Sequence, residues 1–460
     1  MSGAGGVSRT EDRSRNPSRR SSRRGDRCPR ELLALLVLTA LAWPTTTQAR
    51  EAQLRPLPLQ TLPALGPWLD RGDLVLLESN PDGSLSQVSV IARVRAPAGT
   101  VLDVLAHPED FPTMVPSMVR SEVRSRNGRQ REVAWEIEIP FKNPAGVNRY
   151  IDDRPRAIRY WPLEGSIPSG SWEWRAFPQD AGSCILVHTT YADTREISWI
   201  VRRFLAAWPT FEHGAVAATA IVFFKAVAGR AEEIRSGTKH PPPSYTPGRV
   251  GSIRPITEGE GRLDPTPLAP LLQQGMVALI EYTERHQLRQ ISILQRMAAG
   301  PGQVYGLVAN PAGYPTFIPS VSSVQVLIDF PDRCEYRQWM EMPLIKLQMQ
   351  LRMRRDGSRV VQRAEGGDLP SSMSGWDMLP DGQAGSSLAI YYNYLDPGEI
   401  SWFVKKLLVK EPVFHIGLNL ALSTVLVRAI ADRAKTLAGG GPATAPTGRA
   451  AAPQLSEIPR

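Results

Sequence analysis

The chain has 460 residues, 42% of them hydrophobic and 22% charged, proportions that exclude a wholly disordered chain, a collagen-like fibre and a polytopic membrane protein. At about 150 residues per domain the length predicts two or three domains, each able to bury a core. The net charge of +9 is concentrated at the start: nine Arg face four acidic residues between Met1 and Ala49, which leaves +4 for the rest. No dense basic stripe remains, so no nucleic-acid partner is expected.

Residues 1–49 have the layout of a secretory signal: an Arg-rich stretch, the apolar run Leu32 to Trp43, then Thr47-Gln48-Ala49 with small residues where a signal peptidase cuts. Twelve apolar residues closed by Pro44 are too few to span a bilayer comfortably. Export to the periplasm or the exterior is expected, with an uncleaved membrane anchor as the other reading. Arg19-Arg20 and Arg23-Arg24 lie too far ahead of the apolar run to make a good twin-arginine signal.

Gln87 to Val94 alternates weakly as a strand, and Pro97 and Gly99 start a short helix carrying Val101, Leu102, Val104 and Leu105. After a Pro-rich turn comes a strand over Glu122 to Arg126. Arg131 to Ile139 follows, where Val133, Trp135, Ile137 and Ile139 alternate with Glu132, Glu136 and Glu138 as in a half-buried antiparallel strand. Further strands fit Gly146–Asp152, Ala157–Pro162, Ser171–Phe177 and Ser183–Tyr191. A long apolar, helix-compatible stretch from Ile197 to Ile234, broken near Pro209, closes the unit.

The same order then recurs at an offset of 203 residues. Phe111-Pro112-Thr113-Met114-Val115-Pro116-Ser117 matches Tyr314-Pro315-Thr316-Phe317-Ile318-Pro319-Ser320, and Glu196-Ile197-Ser198-Trp199 returns as Glu399-Ile400-Ser401-Trp402. Gly72 meets Gly275, Gln87 meets Gln290, and Gly182 meets Gly385. Only between Glu164 and Gln179 does the alignment slip, where Trp172 meets Trp376 at 204. A unit this long is a domain. The expected layout is a domain over 62–236, a Pro/Gly-rich linker over 237–264, a second domain over 265–437 and a disordered tail over 438–460. Each copy contains a full set of strands and a closing helix, and is expected to fold alone. The fold class is α+β: two domains, each a curved antiparallel sheet around a long C-terminal helix.

Four stretches carry a resemblance. They are Phe111–Val119 with Tyr314–Val321, the strand ends Pro140-Phe141 and Pro343-Leu344, the strands Ser171-Trp172-Glu173-Trp174 and Gly375-Trp376-Asp377-Met378, and Asp396-Pro397-Gly398-Glu399-Ile400-Ser401-Trp402 before the last helix. Together, and found twice, they resemble the START-like superfamily, which includes lipid-transfer proteins, polyketide cyclases and coenzyme Q-binding proteins. Copy one departs from the pattern with Asp193-Thr194-Arg195 in place of the Pro-Gly turn, and both copies have Ser198 or Ser401 where many relatives have Pro. The resemblance implies an elongated cavity between sheet and helix for a lipid or other hydrophobic ligand, without a cofactor. It also implies a second reading, an aromatase/cyclase-type enzyme using the same cavity. A structural, protein-interaction tandem with closed cavities is a third.

In copy one the lining is expected from Val133, Trp135, Ile137, Tyr150, Trp172 and Trp174. In copy two it is expected from Tyr336, Gln338, Met340, Met342, Met349, Met353, Trp376 and Met378. A Met-rich wall suits a flexible apolar ligand, and each of these residues also fits plain core packing.

Catalytic and metal signatures are weak. The six His are scattered; no His or Cys pair has metal-ligand spacing, and no nucleophile elbow or phosphate loop occurs in the part after the leader. Glu136 and Glu138 fall on the solvent side, while Asp152 falls on the same side as Tyr150. Cys184 and Cys334 sit at non-equivalent places and read as packing residues. Before each final helix an aromatic residue and a basic pair recur, Trp199 with Arg202 and Arg203 and Trp402 with Lys405 and Lys406. Such a mixture suits an interfacial membrane contact, or simply a helix anchored by Trp with solvated charges.

Overall fold

The computed structural model describes residues 50–138, 143–195, 211–239, 253–259, 262–284, 286–342, 345–400 and 413–439, with residues 202, 205, 209, 245, 405, 408 and 409 in between. The signal segment, Pro140-Phe141, Pro343-Leu344, Glu196–Trp199, Ser401-Trp402 and the tail beyond Gly439 lie outside the described residues.

Repeat one runs through β1 (Arg50–Glu51), α1 (Gly66–Arg71), β2 (Gly72–Ser79), β3 (Leu85–Val94), α2 (Ala98–Leu105), β4 (Met118–Asn127), β5 (Gln130–Ile137), β6 (Ala145–Asp153), β7 (Ala157–Gly165), β8 (Ser169–Asp180), β9 (Ser183–Ala192) and α3 (Phe211–Ser236). Repeat two runs through α4 (Ala269–Leu272), β10 (Gly275–Tyr282), β11 (Leu288–Met297), α5 (Pro301–Val308), β12 (Val321–Phe330), β13 (Arg333–Met342), β14 (Ile345–Asp356), β15 (Arg359–Gly367), β16 (Met373–Pro380), β17 (Ser387–Tyr394) and α6 (Val413–Ala438). The Ala-rich α3 stops at Gly237, whose φ of 67° and N–H bond to the Glu233 carbonyl, 2.9 Å, make a left-handed C-terminal cap.

Within repeat one the antiparallel order is β4-β5-β6-β7-β8-β9-β3-β2, and within repeat two it is β12-β13-β14-β15-β16-β17-β11-β10. Each sheet curls around its own long helix, α3 or α6, which is the helix-grip arrangement, present twice. Strands β2 and β10, absent from the sequence reading, join the two sheets edge to edge. Gly72 pairs with Glu281, Glu78 pairs with Gly275, and Val75 lies opposite Ala278, its own repeat equivalent. That register is a pseudo-two-fold axis through Val75 and Ala278.

The long helices obey the same symmetry. A Cβ built on Gly214 would lie 2.2 Å from Ala421, and one on Gly417 would lie 2.3 Å from Ala218. Gly214/Ala218 and Gly417/Ala421 are repeat equivalents, so α3 and α6 cross at matching small residues that let the backbones meet. The central strands are covered on both faces. Val75, Leu77, Val88 and Val90 face the helices. Leu74, Leu76, Ile91 and Val187 face an outer layer made by Leu62, Leu65, Trp68, Ile256, Leu263 and Leu271.

That outer layer enlarges both units at their starts. The Gln87 side chain accepts from Arg55 N (2.7 Å) and donates to Arg55 O (3.0 Å); Gln290 does the same with Arg254 N and O, both at 2.9 Å. Leu54-Arg55-Pro56-Leu57 and Ile253-Arg254-Pro255-Ile256 are thus matching straps. Part of the Pro/Gly-rich segment is therefore packed on repeat two, with Ile256 fully buried.

Copies expected to fold alone in fact share a ladder and a helix crossing. A fragment of residues 50–239 exposes a β2 edge and a Gly214–Ala218 surface that normally meet a near copy, so it is expected to dimerise in sedimentation velocity; a stable monomer with unchanged melting would contradict this. In the full chain Gly214→Leu overpacks the crossing and is expected to cost about 1–3 kcal/mol, read as a lowered thermal midpoint.

Candidate functional site

The inner faces of the two grips are assembled from the same positions and filled differently. On β5 and β6 of repeat one, Val133, Trp135 and Tyr150 are buried, Ile137 packs on the core, and Trp135 Nε1 donates to Asn148 Oδ1 at 3.1 Å. Next come three stacked rings: Tyr150 on Tyr160 with centroids 4.5 Å apart, and Tyr160 on Trp172 at 5.1 Å. Trp174, fully buried, stacks on His188 at 3.7 Å.

The ladders correct one alignment of the repeats. Trp174 faces His188 across β8 and β9, and Trp376 faces Tyr391 across β16 and β17. His188 and Tyr391 are equivalents, so Trp376 corresponds to Trp174, not to Trp172. The partner of Trp172 on β7 is Tyr160, and the same place in repeat two holds the pair Ser374 and Gln362. Tyr150, opposite Tyr160, corresponds to Met353, opposite Gln362. The three stacked rings of repeat one are therefore Met353, Gln362 and Ser374 in repeat two, a smaller and partly polar set.

Repeat two has a cavity of about 120 Å³ at that place, walled by β12–β17 and α6. This is several times what one water needs. Of the residues named from the sequence, Met340, Met349, Trp376 and Gln338 line it, and Tyr336, Met353 and Met378 are buried in the core of the same repeat. Of Met342 only the strand position, opposite Ile345, is described. The sequence reading missed Tyr314, Leu347, Leu351, Gln362, Ser372, Ser374, Tyr391, Asn393, Ser423 and Leu426, which also line the cavity. The period-two alternation of β14 would have found Leu351, and the repeat alignment, once the ladder corrects the Trp slip, puts Gln362 and Ser374 in the places of Tyr160 and Trp172.

Polar groups in this wall are neutral and mostly paired with each other. Ser374 Oγ donates to Gln362 Oε1 (2.9 Å), Gln362 Nε2 donates to Tyr314 Oη (3.2 Å), and Asn393 Nδ2 donates to Ser423 Oγ (3.1 Å). Ser372 Oγ is buried without a hydrogen-bond partner among the described residues. Burial raises the Tyr314 and Tyr391 hydroxyls above their ordinary value, so neither ionises at neutral pH. Among the described residues the lining contains no carboxylate, His, Lys, Arg or Cys.

A charged depression on the other repeat has its carboxylates paired. An open depression on repeat one is lined by Asp103, Arg129, Asp152 and Arg154, but Arg154 Nε and Arg131 bond Asp152 at 2.8 and 3.1 Å, and Arg129 bonds Asp153 at 3.0 Å. Burial pushes the Asp152 carboxyl up, and its bonds from Arg154 more than offset this, holding it below the ordinary value. Burial pushes the Cys184 thiol up to about 12. Both Cys184 and Cys334 are free and buried, and no metal-binding cluster occurs among the described residues. Arg202 and Lys405 are exposed on helical residues before α3 and α6; Trp199, Arg203, Trp402 and Lys406 lie outside the described residues.

No protein-family model and no curated protein matches this chain. Among solved structures, the di-domain aromatase/cyclase StfQ of the steffimycin biosynthetic pathway covers 76% of this chain and 99% of its own at 14% identity, with a TM-score of 0.30. The Zhui aromatase/cyclase from Streptomyces sp. R1128 covers 32% of this chain and 93% of its own at 26% identity, TM-score 0.28. A STAR-related lipid transfer protein from Xanthomonas axonopodis covers 35% and 93% at 17% identity, TM-score 0.28. The strand order and gripped helices of each repeat give the chain two helix-grip folds in tandem.

His188 carries a pH signature. Burial pushes its pKa down from 6.5 to about 3, and its Nδ1 donates to the Glu173 carbonyl at 3.3 Å. The unfolded chain regains the ordinary value, so between pH 6.5 and about 3 it binds a proton that the folded chain refuses. The resulting loss of stability is absent above that window and grows as pH falls through it. Urea unfolding of His188→Leu is expected to show an acid limb flatter than wild type by up to about 1.4 kcal/mol per pH unit; identical limbs would contradict a neutral His188.

Proposed function

We propose that the chain is an exported binder or carrier of a lipid or other neutral hydrophobic molecule, held in the cavity of repeat two. The observation that carries this reading is the replacement of the stacked Tyr150, Tyr160 and Trp172 by Met353, Gln362 and Ser374, beside which repeat two keeps an internal space. Its walls are apolar, Leu and Met side chains adapt to an irregular chain, and the buried Ser372 hydroxyl supplies an unused hydrogen-bonding group. Such a site suits a slender apolar ligand with one neutral polar end, since a buried charge would find no partner there. Repeat one, with rings stacked through its interior, serves as the scaffold.

The aromatase/cyclase reading is second. It needs a group that moves protons at the substrate, and the cavity lining offers none with a suitable pKa. Export rests on the leader: the mature N-terminus is expected at Arg50, and N-terminal sequencing of protein from the native host that begins at Met1 would remove cleavage.

Native mass spectrometry of protein purified from its own host is expected to show one small hydrophobic molecule per chain. Restoring the repeat-one rings in repeat two, Gln362→Tyr with Ser374→Trp, is expected to lower loading at least tenfold, an effect of about 1.4 kcal/mol, while the circular dichroism melt stays cooperative. Undiminished loading of the folded double variant would move the ligand out of this cavity, and conversion of a bound polyketide-like molecule on incubation would favour the enzyme.

A further inference from the structure

The free edges of the two sheets, β4 and β12, are repeat equivalents with opposite surface chemistry. Each pairs with one neighbour only among the described residues, β5 or β13. On β4 the run Glu122-Val123-Arg124-Ser125-Arg126-Asn127 is polar and its charges are matched: Arg120 bonds Glu122 at 2.6 Å and Arg124 bonds Glu164 at 3.2 Å. The equivalent run on β12 is Gln325-Val326-Leu327-Ile328-Asp329-Phe330. Val326, Leu327, Ile328 and Phe330 are 37% to 48% exposed. A long apolar edge strand whose only charge, Asp329, is engaged by Arg355 is rare because it invites association.

Beside this edge lies a guanidinium-rich face. The register puts Ile328 opposite Glu335 and Phe330 opposite Arg333 on the outer side of β12 and β13, away from the buried Cys334 and Tyr336. Continuing outward across the ladder, Arg333 faces Arg354, Glu335 faces Arg352, and Arg352 faces Arg363. On this side Arg333, Arg337, Arg352, Arg354 and Arg363 are all exposed. Glu335 and Glu365 both bond Arg352, at 3.1 and 3.5 Å, while the other four have no carboxylate partner among the described residues. Asp332 lies in the turn just before Arg333 and Asp356 ends β14 on the same face as Arg354, neither in an ion pair with these arginines among the described residues, and Asp329 is engaged by Arg355 at 2.6 Å. The Arg333 guanidinium lies 4.7 Å above the Phe330 ring, so an aromatic and a cation form one surface unit. In repeat one the positions of Arg337 and Arg354 hold Ala134 and Ile151.

We propose that the outer face of β12–β15, with its apolar β12 rim, docks on an anionic lipid surface. Leu327, Ile328 and Phe330 enter the boundary between headgroups and acyl chains, and the neighbouring guanidinium groups meet lipid phosphates, the mixture an interfacial site requires. A second copy of the chain fits less well, because edge-to-edge pairing of β12 would set two arginine faces side by side. A nucleic acid would meet the arginines but leave the aliphatic rim in water. The docking does not depend on what the cavity of repeat two holds.

Flotation of the full chain with vesicles tests this. Binding is expected to vesicles of phosphatidylcholine mixed with phosphatidylglycerol, not to phosphatidylcholine alone, and to fall steeply with added salt. Each arginine removed singly, as in Arg354→Gln or Arg337→Gln, is expected to weaken binding about fivefold, and Phe330→Ser to weaken it further, with Arg124→Gln on repeat one as the unaffected control. Phe330→Trp is expected to blue-shift its emission when anionic vesicles are added. Salt-insensitive binding to neutral vesicles, binding that survives all the repeat-two variants, tighter binding to single-stranded DNA than to anionic vesicles, or a β12-dependent dimer in sedimentation would each overturn the proposal. The salt series on wild type decides even where a variant fails to fold, and retention of a cavity ligand by the Arg variants keeps the two sites distinguishable.

Discussion

The antiparallel pairing of Gly72–Ser79 with Gly275–Tyr282 is the constraint on which the rest depends. Placing the edges of two curved sheets together removes two exposed edges at once, but it buries the joined strands on both faces. Every residue from Leu74 to Leu77, and from Met276 to Ile280, must then be apolar, and each is almost fully buried. The outer covering comes from the straps at Leu54–Leu65 and Ile253–Leu268, clamped by Gln87 and Gln290. The inner covering comes from α3 and α6, which approach closely only because Gly214 and Gly417 lack side chains. The polar groups buried at this seam are partly paired: Glu78 Oε1 accepts from Gln87 at 2.6 Å while its Oε2 has no partner among the described residues, and Arg71 bonds Glu281 at 2.6 Å.

A scaffold this symmetric leaves divergence to positions that do not bear on the seam. The far ends of the two sheets, β4–β8 and β12–β16, are where the copies part. Tyr150, Tyr160 and Trp172 fill repeat one with face-to-face rings, an arrangement that adds about 0.5–1.5 kcal/mol per pair beyond area burial. Met353, Gln362 and Ser374 give up that packing, and the volume they release becomes a cavity whose polar members bond to one another. One copy keeps the stability of a full core while the other keeps the space.

The repeat, the strand order and the closing helices were legible because the sheet ends are half-buried and alternate visibly, as Val133, Trp135 and Ile137 do against Glu132 and Glu136. Strands β2 and β10 were not, since a strand buried on both faces reads as an unbroken apolar run and shows no period of two. The straps escaped for a different reason: Leu54-Arg55-Pro56-Leu57 and Ile253-Arg254-Pro255-Ile256 repeat at 199 rather than 203, and their role lies in backbone bonds to a distant Gln. Met340, Met349 and Trp376 came from the cavity that the START-like resemblance implies. Gln362 and Ser374 were not named, because polar residues at inward positions look like solvent-facing ones until the ladder shows which neighbour they face.

The chemistry of the cavity bears on the difference between retention and turnover. A site that reacts must place a titratable group near the reacting atom with a pKa close to the working pH. Here burial drives the available groups the other way: the Tyr314 and Tyr391 hydroxyls are pushed up, beyond use as bases. His188, equivalent to Tyr391, is pushed down to about 3 and sits in the copy filled by rings. The same low-dielectric surroundings that disable acid–base work strengthen any hydrogen bond a neutral ligand makes to Ser372 or to the Gln362–Ser374 pair. They also leave the ligand's apolar body with little to gain by returning to water.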